Sequence, residues 1–558
     1  MSSARDQTVS ATASVPLSSP WEPFQSPAFR MLWGATVISN VGTWMHDIGA
    51  AWLMTSLTDR PIMIALVQAA TSLPMVFLAL PAGALADIVD RRRYLLGLQI
   101  GMLVSAALLA VVVFLDLASP WVLLLFTFAL GAGAALMAPA WQAITPELVT
   151  REVLPAALVL NSAGTNVSRA IGPALGGIII AHAGSAAVFI CNALSFVAII
   201  IALLRWQRTM PANSLPAEHF IGAMRAGLRY VWQSPPLHRV LVRTAGFFVF
   251  ASAMWALLPL IARSTLQQGP GGYGVLLALL GLGAVTGALI LPRLRTRFLP
   301  DHLMLGGTLA FSVATAALGF LPRFAVACGA MALAGMAWIA VLSSLNIAAQ
   351  QAVPAWVRAR ALSIYLIVFF GGMAVGCTVW GALASRVGIQ TSLVIAAAGL
   401  LLSLSLVRRF SLGQGEGCDL APSMHWPAPV VAVEPDPDRG PVLVTIEYRI
   451  APEQTSAFAQ AMAEVRRLRL RDGAFAWGLF ANTADASRIV ESFWAESWLE
   501  HLRQHARVSV TDESVQRRAN AFHIGPEPPV VSHSLSIVSP RGDPLTAVDV
   551  HAHNAPQH

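Results

Sequence analysis

The chain has 558 residues, 56% of them hydrophobic and only 12% charged, and its mean hydropathy is positive. That balance excludes an ordinary soluble globule. The formal net charge of +7 does not argue for a nucleic-acid partner: residues 1–410, the apolar part, hold 24 Arg against 11 acids, whereas residues 411–558 hold 12 Arg against 18 acids.

Residues 1–28 are rich in Ser, Thr, Ala and Pro and contain no apolar h-region, so they read as a flexible tail without a cleaved signal peptide. Twelve apolar stretches follow, near 29–54, 62–84, 94–116, 121–141, 158–182, 185–205, 239–262, 272–292, 302–321, 324–347, 361–385 and 388–407. Most reach the ~20 residues that cross a hydrocarbon core as a helix. Runs such as Leu95–Leu115 and Val122–Met137 show almost no polar face, unlike a helix of a soluble core. The expected fold is an all-α polytopic membrane protein of twelve helices in two bundles, 29–205 and 239–410. A linker, 206–238, joins them and carries a basic amphipathic helix around Phe220–Trp232 that lies on the membrane surface.

An even number of spans puts both termini on one side. The short loops after spans two, four, eight and ten hold Arg91, Arg92, Arg93, Arg151, Arg293, Arg295, Arg297, Arg358 and Arg360; the opposite loops hold only Arg60, Arg263, Arg323 and Arg386. That excess places the first set and both termini in the cytoplasm. The halves also repeat: Gln142 and Pro146 recur as Gln350 and Pro354 at a shift of 208, and Phe29-Arg30 as His238-Arg239 at 209. Parallel repetition of six-helix halves sets a pseudo-two-fold axis along the membrane normal and a substrate site between the halves near midplane, which favours a carrier over a channel.

The loop after span two reads Gly83-Ala-Leu-Ala-Asp87-Ile-Val-Asp90-Arg91-Arg92-Arg93. It resembles the major facilitator signature G-x-x-x-D-R/K-x-G-R/K-R/K; Gly83, Asp87, Arg91 and Arg92 match, while Ile88 and Asp90 depart from it. The resemblance implies a cytoplasmic latch between the halves in the outward-open state, with Gly83 admitting a neighbouring helix and Asp87 accepting charge-assisted bonds. Span five contains Arg169-Ala-Ile-Gly172-Pro173-Ala-Leu-Gly176-Gly177, which is similar to the exporter-associated GPxxGG string of the same superfamily. Gly172 and Gly176 share a helix face suited to close packing, and Pro173 bends the helix there. Together with Ser39–Met45 in span one and Pro139–Gln142 at the end of span four, these strings resemble the enterobactin-exporter-like branch, the transmembrane secretion effectors, over residues 25–410. The resemblance implies export of a small organic molecule, a siderophore or an amphipathic drug-like compound.

Ionisable groups inside spans are costly and are therefore functional candidates. Asp47 lies about 18 residues into span one, next to His46, and Arg169 lies near the middle of span five. Asp47 is the leading site for proton exchange; the competing account is a static pair with Arg169 or another polar group of the spans that only fixes helix packing. Asn40, Trp44, Asn161 and Asn166 are candidates to line the pathway, and interhelical hydrogen bonds explain the last two equally well. The chain contains no Lys, so no GxxxxGK[ST] phosphate loop exists and the electrochemical gradient is the expected source of work.

Residues 411–440 are a Gly/Pro-rich linker. Residues 441–525 have the order βαββαβ, with a last strand near Ala521–Ile524, and resemble the ferredoxin-like antibiotic-biosynthesis-monooxygenase type. The string Glu491–Trp498 with His501 and His505 carries that likeness, which implies dimerisation through this domain. The two His are four apart, the spacing of a metal or haem pair, although an exposed helix edge explains them as well. Cys191, Cys328, Cys377 and Cys418 show no CxxC spacing, so neither a disulfide framework nor a zinc site is expected. No catalytic constellation, metal site or cofactor is assigned, and residues 526–558 read as disordered. The expectation is a proton-coupled exporter of the inner membrane working by alternating access, not an enzyme. The rivals are a bifunctional chain whose tail modifies the cargo and a transporter-like sensor.

Overall fold

Proline sets where the membrane helices begin. Pro27, Pro61, Pro120, Pro235, Pro270 and Pro300 each stand in a first turn, where a backbone N–H has no helical partner to lose. The computed structural model describes residues 21–537 except 151, 207–227, 355, 413–418, 424, 427, 428, 430, 432 and 434, with backbone alone at 80, 84, 86–88, 359, 408 and 506. The tail at 1–20, most of the amphipathic linker and residues 538–558 lie outside the described residues.

Span one is Pro27–Leu57, span two Pro61–Ile88, span three Arg91–Phe114 and span four Pro120–Leu148. Spans five and six are the two limbs of Leu154–Arg205, a 52-residue run broken at Gly184, whose φ of 76° is left-handed backbone that glycine adopts without strain. Span seven is Pro235–Leu260, continued by a π-helical turn at Ile261–Thr265; span eight is Pro270–Arg295 and span nine Pro300–Phe320. Spans ten, eleven and twelve are Phe324–Gln351, Arg358–Val387 and Ile389–Ser403. Twelve helices thus stand in the expected order among the described residues; nine helical runs are long and apolar enough to cross a membrane, the Leu154–Arg205 run being counted once, and Ile389–Ser403 is shorter.

Span five packs on span one of its own bundle and on span eight of the other; span two packs on span four and, across the divide, on span eleven. The second bundle is knitted by edge-to-face rings, Phe248 against Phe369 at 4.3 Å and against Trp338 at 5.2 Å.

The C-terminal domain is a four-stranded antiparallel sheet in the order β2-β3-β1-β4, where β1 is Val442–Arg449, β2 Ala476–Ala481, β3 Arg488–Ala495 and β4 Val530–Leu535. With helices at Thr455–Asp472, Trp498–Arg507 and Val510–Asn520, this is the ferredoxin-like arrangement. The last strand falls later than the sequence suggests. Residues near Ala521–Ile524 contribute only a single bridge, His523 to Ile450, and β4 fills the free edge of β1 instead, inside the stretch read as disordered. Pro526, Pro528 and Pro529 masked it: they give the segment a loop composition but stand just outside the ladder, where a missing N–H costs nothing.

Burial alternates along β1, so Val442, Val444, Ile446 and Tyr448 face the helices. Between them Glu491, fully buried, accepts from Arg469 Nε at 3.0 Å, Trp477 Nε1 at 2.9 Å and Tyr448 Oη at 3.1 Å. A buried carboxylate is tolerable only when paired and hydrogen-bonded in this way.

This domain docks on the loop between spans ten and eleven. Arg507 lies 4.5 Å over the ring of Trp356 and also pairs with Glu500, while Arg471 lies 5.6 Å over Tyr230. Tyr230, at the described end of the linker, donates its hydroxyl to Ala352 O at 3.1 Å, so linker, loop and domain meet at one place. Removing both aromatic platforms (Tyr230→Ala with Trp356→Ala) should weaken docking by about 1–3 kcal/mol. Limited proteolysis between the membrane part and β1 should then accelerate about tenfold; an unchanged rate would show that the contact holds nothing.

Candidate functional site

The two bundles meet most closely toward the face opposite the C-terminal domain. In span five a Cβ on Gly177 would sit 2.8 Å from Pro270 O and 2.9 Å from Gly274 Cα, so these two glycines let spans five and eight touch backbone to backbone. Lower on the same seam Gly281 lies against the backbone of Arg169 and Ala170. Gly381 of span eleven lies against Pro61 and Ile62 at the start of span two.

Polar and aromatic groups reinforce that closure. Arg263, on the π-helical turn that ends span seven, donates to Thr55 Oγ1 at 3.0 Å and Ser56 Oγ at 2.9 Å at the end of span one. Its guanidinium also lies 5.9 Å over Trp52, and Trp52 stacks on Tyr273 of span eight at 6.1 Å. Span one is thereby tied to spans seven and eight. Asp47 lies roughly 7 Å deeper along span one than Trp52, at 1.5 Å per residue. It interacts electrostatically with Tyr273 and makes no hydrogen bond or ion pair among the described residues.

The static Asp47–Arg169 pair is not formed. Arg169 instead lies 5.5 Å over Trp44, with its Nε unpartnered. His46 is buried on another face of span one, 4.9 Å from Phe189 of span six, and both its ring nitrogens lack partners. Asn161 donates to Thr145 Oγ1 of span four at 3.1 Å, and Asn166 to Ser162 O of its own helix at 3.0 Å. Asn40 is half-buried. Gly172 and Gly176 face span one, where Cβ atoms would meet Trp44 Cβ at 2.6 Å and Met45 Cα at 3.1 Å; Pro173 sits within the same helix.

The loop after span two is engaged within its own bundle. Arg91 pairs with Glu147 at 2.7 Å, and Arg92 donates from Nε to Leu203 O at 2.8 Å and from Nη2 to Leu204 O at 2.5 Å, capping the end of span six. Asp90 caps span three through Arg93 N at 2.9 Å, which explains a carboxylate where the signature has glycine. The side chain of Asp87 lies outside the described residues. At Gly83 a Cβ would meet nothing within 4 Å, so close helix approach is not what this glycine provides here.

A second site lies in the C-terminal domain. A cavity of about 700 Å³ opens between the sheet and the helices, lined by Trp426, Tyr448, Arg469, His501, His505 and His533 among others. His501 is buried at 1% exposure rather than set on an exposed helix edge, because it turns inward beneath Trp498 and β4. Burial, with His533 and His505 nearby, pulls His501 down to about 3, and burial likewise lowers His505 to about 4. Both are therefore neutral at physiological pH.

The sequence did not reveal Trp52, Thr55, Ser56, Tyr273, the cross-bundle contacts of Arg263, or His533. The one available signal was that Arg263 is among the few Arg in the loops of its face.

The sequence model of the family described as transmembrane secretion effector matches residues 18–541. The enterobactin exporter EntS of Escherichia coli O1:K1 is 27% identical over 402 residues, 69% of this chain and 93% of the relative; that of Shigella boydii serotype 18 is 28% identical over the same spans. Among solved structures, an inward-facing bacterial homologue of the human lysosomal transporter Spinster superposes with a TM-score of 0.57 at 14% identity. It covers 71% of this chain and 98% of that one, a likeness of fold.

If Arg263 ties the bundles, Arg263→Ala should loosen the closed face. Spin labels on cysteines at Arg60 and Arg386, in a background without native cysteines, should report a longer and broader distance distribution; an unaltered distribution would remove Arg263 from the gate.

Proposed function

The chain belongs to the transmembrane secretion effector family, and from that premise we propose that it exports a small organic molecule in exchange for protons. Its two bundles rock about a shared midplane pocket. The terminus-bearing face is the cytoplasm and the membrane is the bacterial inner membrane, a reading supported by the Arg excess in the loops of that face. Glycine-lined seams and the Arg263–Trp52–Tyr273 cluster close the opposite face, so this conformation is the one that would load cargo from the cytoplasm.

The observation that carries proton coupling is Asp47. It lies well inside span one, beside the cross-bundle cluster, and holds no fixed ion-pair partner. A carboxylate so placed changes its surroundings whenever Tyr273 and span eight move away from span one, and that change is what couples protonation to alternating access. Arg91 and Arg92 bond to Glu147, Leu203 and Leu204 of the first bundle in this conformation; forming cross-bundle bonds would make the cytoplasmic latch of the opposite state. Trp44, Arg169, Asn40, Asn161 and Asn166 line or brace the pathway. The curated relatives are named for enterobactin, which supports a siderophore as cargo, with an amphipathic drug-like compound as the other class.

A second reading makes the C-terminal domain a regulator of transport. It is favoured by the docking of Arg507 and Arg471 on Trp356 and Tyr230, at the root of span eleven. A chain ending after Leu412 should keep transport if the domain only regulates, and its rate should then no longer respond to Trp356→Ala.

For the coupling site, Asp47→Asn in proteoliposomes should abolish proton-driven accumulation, by about tenfold or more, while leaving downhill equilibration measurable. Undiminished accumulation against a gradient would refute the assignment.

A further inference from the structure

His501 and His505 are one turn apart on the Trp498–Arg507 helix, and His533 comes to them from β4, the edge strand beside β1. One nitrogen of each ring lies within 4.8 Å of the others. His501 Nε2 and His505 Nε2 are 3.4 Å apart. Two nitrogens bound at ~2.1 Å to a tetrahedral centre are also about 3.4 Å apart, so this pair already forms one edge of a coordination tetrahedron. Closing the third corner asks His533 for a movement of roughly 1–1.5 Å, within the range of a small side-chain rotation.

The surroundings fit ligands rather than a chance cluster. His501 Nδ1 faces Gln504 Oε1 at 3.3 Å; donation there leaves Nε2 with its lone pair toward the other two rings, the outer hydrogen bond that metal-bound imidazoles make. Trp426 stands edge-on to His505 at 4.9 Å and Trp498 to His533 at 6.2 Å, limiting ring rotation. The neighbouring Arg469 has its charge balanced by Glu491. His425 is not part of the set, since its nitrogens already meet Ser423 Oγ at 2.6 Å and Gln516 Oε1 at 3.1 Å.

We infer that His501, His505 and His533 hold one divalent transition metal of the class imidazole favours (zinc, cobalt, nickel or copper), with the fourth coordination position open to the 700 Å³ cavity. Three protein nitrogens and one vacant position make a site that takes an exogenous oxygen donor, water or a small chelating molecule, rather than a closed structural site. The inference concerns the C-terminal domain and stands apart from the proposed transport cycle.

The test uses the full chain in detergent, purified through a tag without histidine, stripped by chelator and dialysed against Co²⁺. One Co²⁺ per chain should bind, with the visible absorption of a tetrahedral centre. His505→Ala and His533→Ala should each weaken binding about tenfold or more, while His302→Ala, at an exposed position of span nine, should not. X-ray absorption of the unmutated, zinc-loaded chain should count three imidazole nitrogens, a measurement independent of how any variant folds. Fewer than three, or equal binding by the unmutated chain and a His505→Ala/His533→Ala double variant, would overturn the site.

Discussion

Helices in a bilayer gain nothing by hiding apolar side chains from lipid, so what holds them together is how closely their backbones can approach. In this chain that constraint is met by small residues at the seams that matter. Gly177 against Gly274 joins the bundles, and Gly283 and Gly335 join spans eight and ten, where added Cβ atoms would run into the carbonyls of Ala332 and Leu280. Spans five and eight therefore touch through main chain, whereas Arg263, Trp52 and Tyr273 touch through side chains. The first contact is fixed by the backbone, whereas the second rests on side-chain rotamers.

The halves repeat in sequence but not in chemistry. The second bundle packs its interior with Phe247, Phe248, Phe311, Trp338 and Phe369, and its buried Arg243 is paired with Asp301 at 2.8 Å. The first keeps Asp47, His46 and Arg169 at interior positions, with Arg169 resting on Trp44 rather than on a carboxylate. Ionisable groups inside membrane spans are expensive when they lack a partner, and of these three only His46 is fully buried.

Most of the membrane fold was legible because it rests on local composition. Apolar run lengths fixed the spans, and even the joint at Gly184 fell between two expected helices, since a left-handed glycine leaves a visible break. The contact of Arg263 with span one was not legible. Arg263 and Thr55 are more than two hundred residues apart, and nothing in either neighbourhood says that a π-helical turn will carry one toward the other. The likeness of span five to an exporter string drew attention to three glycines but not to what they pack against: two face span one and the third faces the other bundle. In the C-terminal domain, periodicity found β1 and the helix His501 sits on. It missed β4, because three prolines dominate that segment's composition, and with β4 it missed His533.

The Trp498–Arg507 helix shows why that omission has consequences. It presents His501 and His505 to the cavity, while Glu500 meets Arg229 of the linker at 3.5 Å and Arg507 covers Trp356 of the span ten–eleven loop. Ten residues cannot pivot to tighten one face without moving the other, because their backbone hydrogen bonds make them a single rigid turn-and-a-half either side of the middle. The helix therefore joins the cavity to the loop that leads into span eleven, and span eleven packs on span two across the divide. One short helix thus carries both a face that lines the cavity and a face that docks on the membrane part.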